Sequence, residues 1–140
     1  MIELQPQQFC NVLPLLTTVK QKVLPFAICQ GNNPGRVFVD HCENPRLGLI
    51  WSPVGYYFLV GDLLEVEDIS EISHVLTGIF VPASQIIGET GFILIPSTGK
   101  WKEHLPKLLP GRDLLEIYRR PFLFEVGQFA KLNNWQECIP

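Results

Sequence analysis

Apolar side chains recur every three or four positions near the amino terminus, which predicts a helix from Gln5 to Val19. Pro14 lies inside this segment and predicts either a kink or two short helical pieces. A second short helix is predicted from Gln21 to Cys29, with an interruption at Pro25. The chain therefore begins with helical pieces.

The hydrophobic pattern then changes to that of strands. Three short apolar runs, Arg36–Asp40, Leu47–Trp51 and Tyr56–Gly61, are separated by the turn residues Asn44-Pro45 and by Ser52–Gly55. Strands joined by such short connections pair in an antiparallel meander. The middle of the chain is therefore predicted to form an antiparallel sheet.

A helical period returns after the third strand. Apolar residues from Ile69 to Ile79 recur at helical spacing, and Pro82 is predicted to close this helix or end it shortly afterwards. The apolar run Gly91–Pro96 reads as a buried strand. Because it follows a helix, we expect it to pair in parallel with the strand Tyr56–Gly61.

The remaining chain is predicted as a short helix and a last strand. The helix runs from Trp101 to Leu109 and ends at Pro110-Gly111. The last stretch, Leu114–Val126, is strand-like, and Pro121 indicates an edge or a bulge. Helices and strands in this order predict an α/β (α+β) fold with a mixed, mainly antiparallel sheet flanked by helices, in a single domain spanning residues 1–140.

Composition narrows the classes of partner. Charged residues are 18% of the chain, below the usual share of about 25%, which indicates apolar surface covered by a partner or a further domain. The net charge is −3 and no basic stripe is present, so we expect no nucleic-acid partner. The chain begins without a signal peptide, and its apolar runs are too short to span a bilayer. We therefore expect a cytoplasmic protein without a membrane partner.

The four cysteines predict no metal site. Cys10, Cys29, Cys42 and Cys138 have neither a zinc-binding spacing nor a Cys-x-x-Cys pair, so free, mostly buried thiols are expected. Cys42 follows His41, but strand neighbours point to opposite faces, which argues against a reactive thiol.

Several short segments of the sequence resemble one acetyltransferase family. The element order resembles the GNAT acetyltransferase fold. The short segments look like those in the amino-terminal lobe of the zwittermicin-resistance type of GNAT acetyltransferase. The matching segments are Pro34–Asp40, Asn44-Pro45, Leu49–Trp51, Tyr57–Asp62, Trp101, Tyr118-Arg119-Arg120 and Phe122–Phe124. The resemblance implies a degenerate GNAT-like first lobe whose catalytic, acetyl-CoA-binding second lobe is absent from this chain.

The place where GNAT domains bind the CoA pyrophosphate differs here. That loop carries glycines at the start of a helix, where backbone N–H groups and the helix dipole hold the anion. The equivalent segment, Gly61–Asp68, has one glycine and four carboxylates, which would repel a pyrophosphate. Two other partial matches, Gln85–Thr90 and Gln30–Gly35, are interpreted as a turn and a connector. No cofactor-binding residue is predicted.

No catalytic residue is predicted either. The candidate acids and bases, which no spacing pairs, are Asp40, His41, Asp62, Glu65, His74 and His104. Asp40 is interpreted as a turn cap, His74 as solvated or half-buried, and His104 as exposed. An aromatic cluster favours core packing, with a ligand cleft between splayed strands as the alternative. The possible cleft-lining residues are Trp51, Tyr56, Tyr57 and Asp62.

Three functions remain open from the sequence. The first is a non-catalytic GNAT-related lobe that serves as the structural or substrate-side partner of an acetyltransferase lobe, supplied in cis or in trans. The second is a stand-alone N-acetyltransferase of a small amine, and only this one requires acetyl-CoA. The third is a self-associating binding module, such as a dimer, without acyl chemistry. The first is the preferred hypothesis, with self-association as its companion.

Overall fold

A computed structural model describes residues 1–62, 66–88, 90–119, 124–129 and 131 of the chain. Its centre is one five-stranded sheet in the order β1-β2-β3-β4-β5. The strands are β1 (Ile2–Glu3), β2 (Arg36–Val39), β3 (Leu47–Ser52), β4 (Tyr56–Gly61) and β5 (Ile93–Pro96). The first four strands pair antiparallel, and β5 pairs in parallel with β4. The predicted mixed, mainly antiparallel α+β fold is confirmed.

Helices lie before, between and after the strands. The α-helices are α1 (Val23–Cys29), α2 (Val66–Val75), α3 (Val81–Ile86), α4 (Leu105–Leu108) and α5 (Val126–Phe129). Two 3₁₀ helices span Pro6–Thr18 and Gly99–Glu103, and a π-helical turn spans Leu76–Phe80. None of the helices in the described ranges is long and apolar enough to cross a membrane.

The sheet carries one apolar cluster on each face. On one face, strand residues such as Leu49 and Leu59 pack against residues from α2, the π turn and α4. On the other, Ile50 and Val60 pack against the first 3₁₀ helix and α1. Strand side chains alternate between faces, so both faces of the central strands are buried, and every residue of β3 is buried. The sheet is therefore the middle layer of three.

The amino-terminal helix tolerates its internal proline because it is 3₁₀ rather than α. Pro6 occupies its first turn, and Gln5 and Gln8 form a reciprocal capping box. Phe9, Val12 and Leu16 are buried against the sheet, as their helical spacing predicts. Runs of 3₁₀ helix this long are uncommon, and here packing on the sheet supports one.

Pro82 does not close the helix itself, and the helical stretch ends shortly afterwards, at Ile86, which is the second of the two predicted outcomes. The chain passes from α2 through the π turn into α3, and Pro82 lies in the first turn of α3. The N–H of Val81 donates to the carbonyl of Leu76, five residues back. A proline ring ordinarily clashes with the carbonyl four residues before it, and the wider π turn relieves that clash.

The predicted last strand is also wrong over its described part. Residues 112–119 have no regular structure, and α5 begins at Val126. Residues 120–123 lie outside the described residues. In the described ranges nothing pairs with the outer edge of β5, which explains why all four residues of β5 are half-buried instead of fully buried as predicted. The parallel pairing of β5 with β4 is confirmed.

Candidate functional site

The carboxyl end of the β4–β5 pair is the first place to look for a ligand, since parallel strands bind ligands beyond their carboxyl ends. β4 ends at Gly61, which has a φ of 85°. A Cβ at this position would lie 2.0 Å from the carbonyl oxygen of Arg46, so only glycine fits. This glycine turns the chain away from the sheet just where a ligand would approach.

That end is closed by the residues that follow β5. The carbonyl of Gly61 accepts a hydrogen bond from Trp101 Nε1 at 3.0 Å and another from Ser97 Oγ at 3.2 Å. The Trp101 side chain is 1% exposed. Lys100 Nζ lies 3.4 Å from Asp62 Oδ1, an exposed ion pair that contributes little to stability. Both lone pairs of the Gly61 carbonyl are used within the chain, and the indole occupies the space beyond β4.

No described residue pairs with the outer edge of β5. On its inner side, the N–H of Ile93 donates to the carbonyl of Gly55, just before β4, and the N–H of Ser97 donates to the carbonyl of Leu59 in β4, each at 2.8 Å. Successive strand residues direct their backbone groups to opposite sides, so Ile95 also faces β4, whereas Leu94 and Pro96 face away from it. Proline has no N–H, so Leu94 supplies the only donor along the outer edge of the strand.

A cleft of about 580 Å³ runs along this edge, and we call it the β5 cleft. Its lining includes Gln21, which precedes α1 on one face of the sheet, and Ser84 and Gln85, which belong to α3 on the other. The cleft therefore crosses the sheet edge instead of lying on one face. Residues 111–119 contribute much of the remaining wall.

Among the described residues that line the β5 cleft, positive charge predominates. Arg112 and Arg119 line it together with Asp113. Arg119 Nη1 donates to the Tyr56 hydroxyl at 3.2 Å, and its guanidinium lies 5.6 Å from the centre of that ring. In the ranges that the structure describes, neither arginine forms an ion pair with a carboxylate.

Glu116, which lies between these two arginines in the sequence, has another partner. Glu116 accepts from Lys102 Nζ at 3.0 and 3.1 Å. The hydrogen bond from Lys102, followed by one from Tyr118, lowers the pKa of Glu116. Glu116 therefore fastens segment 112–119 to the second 3₁₀ helix and does not neutralise the cleft.

Of the four possible cleft-lining residues named from the sequence, Trp51 and Tyr57 are cross-strand partners that both pack on Phe80, whereas Tyr56 and Asp62 lie elsewhere. Tyr57 is fully buried, and its hydroxyl contacts the Phe80 carbonyl at 3.2 Å and the Ser84 hydroxyl. Trp51 is also buried, stacked on Phe80. Tyr56 is half-buried beneath Arg119, and Asp62 is exposed beside Lys100. The structure does not bring the four together, and none is among the residues that line the β5 cleft.

Asp40 acts as the predicted turn cap. Its Oδ1 accepts from the backbone N–H groups of Arg46 and Leu47 at 3.0 and 3.2 Å, and its Oδ2 lies 3.1 Å from His41 Nδ1. Burial alone would raise the pKa of Asp40, but these hydrogen bonds outweigh it and the pKa lies below its ordinary value. The carboxylate therefore ties the β2–β3 turn.

The two other candidate histidines lie apart. His74 is exposed on α2. His104 is half-buried rather than exposed as predicted, because it lies between the second 3₁₀ helix and α4, and its buried Nδ1 has no hydrogen-bond partner among the described residues. Glu65 lies outside the described residues. In the described ranges, no three His, Cys, Asp or Glu side chains are grouped to hold a metal ion.

The described thiols have different exposures. Cys10 is exposed, Cys42 is half-buried, and Cys29 is buried. Burial, with the nearby Cys10 thiol second, raises the pKa of Cys29 to about 12, so this thiol is unreactive at neutral pH. Cys138 lies outside the described residues.

The two partial phosphate-loop matches are structural turns in their described residues. α3 ends in a turn at Ile87-Gly88, where Gly88 has a φ of 85°, and Glu89 lies outside the described residues. The segment Gln30–Gly35 ends α1, with Asn32 N–H donating to the Ala27 carbonyl at 2.8 Å. Both glycine-containing turns stop helices, as predicted.

Comparison with models of known protein families finds none that matches this chain. Comparison with curated proteins likewise finds no relative.

Proposed function

We propose that the chain is a GNAT-related lobe without acyl-transfer chemistry of its own, acting as the structural or substrate-side partner of an acetyltransferase lobe supplied in cis or in trans. The order of elements supports the relation: three antiparallel strand pairs are followed by a helical crossover and a parallel strand. This order agrees with the one on which the resemblance to the GNAT fold rests, except that β1 is added and the last predicted strand is not formed over its described part.

The observation that carries the proposal is the closed carboxyl end of the β4–β5 pair. A cofactor at this end would need open backbone groups and space, as anion sites on α/β folds provide. Here the Gly61 carbonyl already accepts two hydrogen bonds, and the Trp101 indole fills the space.

Calorimetric titration of the chain with acetyl-CoA tests this proposal. We expect no heat of binding up to about 1 mM ligand. A competent acetyltransferase titrated in the same buffer is the positive control, and thiol release in the presence of a panel of small amines is a second readout. Micromolar binding or thiol release would contradict the proposal and favour the stand-alone N-acetyltransferase.

A self-associating module is the second candidate function. Large apolar side chains are exposed on segment 112–119 and around α5, where Leu115 is 86% exposed and Phe124 70%. Such a patch on a lone domain is ordinarily covered by a partner. Sedimentation velocity over a range of concentrations tests it, and a monomer at every concentration would contradict it.

A further inference from the structure

We infer that the outer edge of β5 is a docking site for an extended peptide strand that carries carboxylate side chains. The inference rests on this edge and its cleft, so it is independent of any relation to acetyltransferases. It concerns a surface that the proposed function leaves unassigned.

The first observation is that no described residue pairs with the backbone of this edge. Leu94 directs its N–H and C=O away from β4, and Pro96 directs its C=O the same way. An exposed strand edge is a template for pairing with another extended chain, in which main-chain hydrogen bonds supply affinity. Because Leu94 is the only donor of the strand on this side, pairing is restricted to registers that place an acceptor opposite it.

The second observation is the space beside the edge. The β5 cleft has a volume of about 580 Å³, within the range of about 300–1,000 Å³ typical of ligand sites. It runs over both faces of the sheet, from Gln21 to Gln85. A paired strand sends alternate side chains to the two faces, so it needs space on both. A cleft confined to one face would suit a compact ligand better.

The third observation is the charge of the lining, and it selects the occupant. Arg112 and Arg119 stand at the two ends of segment 112–119 and have no carboxylate partner among the described residues, while Asp113 is the one acidic residue of the lining. Arg119 contacts Tyr56, whose register partner is Ile93, so its charge lies at the amino end of β5. Guanidinium groups bind carboxylates with two parallel hydrogen bonds, which favours an acidic strand.

Hydrogen exchange of the free protein at low concentration tests the open edge. We expect the Leu94 amide to exchange rapidly while the Ile93 and Ile95 amides, which face β4, exchange slowly. Slow exchange of the Leu94 amide in the dilute protein would overturn the inference. Slow exchange that appears only at high protein concentration would also overturn it, because a second copy of the chain would then occupy the edge.

Binding is measured with a labelled hexapeptide of alternating valine and threonine that ends in glutamate on both sides. Its matched control carries lysine in place of glutamate. We expect the acidic peptide to bind with a dissociation constant on the order of 0.1 mM, at least about tenfold more tightly than the basic one, and to slow exchange at Leu94. Equal binding of both peptides, or no binding of either up to about 1 mM, would overturn the inference.

Charge reversal identifies the cleft as the binding surface. Arg112→Glu and Arg119→Glu are each expected to weaken binding of the acidic peptide about tenfold. Lys131→Glu makes the same change at an exposed residue outside the lining and is expected to leave binding unchanged. If Arg119→Glu alters the fold through loss of its Tyr56 contact, the effect of Arg112→Glu on peptide binding still tests whether the cleft is the binding surface. Equal effects of Arg112→Glu and Lys131→Glu would overturn the inference.

Discussion

The carboxyl end of β5 and its outer edge differ in how far other described residues cover them. At its carboxyl end, Trp101 and Ser97 fill the space beside Gly61 and use both lone pairs of that carbonyl. Along its outer edge, the backbone groups of Leu94 have no partner among the described residues and lie beside a cleft lined by arginines. The chain itself covers the carboxyl end, whereas the outer edge is the surface for which we propose a docked strand.

The difference follows from how far along the chain each neighbour lies. Ser97 and Trp101 come directly after β5, so a short 3₁₀ helix suffices to bring the indole onto Gly61. The outer edge needs a neighbour from beyond Gly111, and segment 112–119 lines the cleft without forming a strand. Residues close in sequence cover one side, whereas no described residue pairs with the other.

The largest expected effect is at the closed end. Trp101→Ala removes a fully buried indole and leaves a cavity, so we expect the free energy of unfolding to fall by about 3–5 kcal/mol in urea denaturation. Trp101→Phe keeps an aromatic ring but loses the hydrogen bond to Gly61, and a loss of about 1 kcal/mol is expected. A cost below about 1 kcal/mol for Trp101→Ala would mean that this end is not closed by packing.

A smaller effect is expected where Asp40 ties the turn between β2 and β3. Asp40→Asn is expected to lower the free energy of unfolding by about 1–2 kcal/mol at neutral pH, since the charged acceptor of two backbone N–H groups is lost. The control, Asp113→Asn on the exposed cleft wall, is expected to change it by less than about 0.5 kcal/mol.

The Asp40 effect also depends on pH. The folded-state pKa lies below the ordinary value of 3.8, so the stabilisation is present above 3.8 and is lost as the pH falls through the lower folded-state value. Wild type and Asp40→Asn should therefore converge in stability as the pH drops below 3.8. If the stability difference between wild type and Asp40→Asn did not change with pH, the conclusion that the charged carboxylate of Asp40 is the stabilising form would be wrong.

The smallest effect is expected on the open side. Leu115 is 86% exposed on segment 112–119, and Leu115→Ser is expected to change the free energy of unfolding by less than about 0.5 kcal/mol. Leu108→Ala, at a fully buried leucine of α4, is the matched control and is expected to cost about 2–5 kcal/mol. Comparable losses in the two variants would show that segment 112–119 is packed and the contrast is wrong.

The strands of the sheet's centre were predictable because their signals are local. Three apolar runs bounded by turn residues became β2, β3 and β4, and the apolar run after the helix became the parallel strand β5. β1 was missed because Ile2–Glu3 is too short to carry a period and forms only by pairing with β2. Leu114–Val126 has strand-like composition, but composition does not supply the partner strand that pairing requires.

The closed end and the β5 cleft were less accessible from the sequence. Nothing in the spacing of Gly61, Ser97 and Trp101 indicates that an indole and a hydroxyl meet one carbonyl, because these contacts are tertiary. A tryptophan just after a predicted strand was the available signal.

The π-helical turn before α3 sets the rotational phase of everything that follows it. Each residue of an α-helix advances the direction of its side chain by about 100°. Deleting one residue from Leu76–Phe80 would turn α3 by about that angle and move Ser84 away from the hydroxyl of Tyr57. The length of this five-residue turn is therefore more constrained than its side chains. In proteins descended from this chain, substitutions within the turn should be tolerated more readily than deletions.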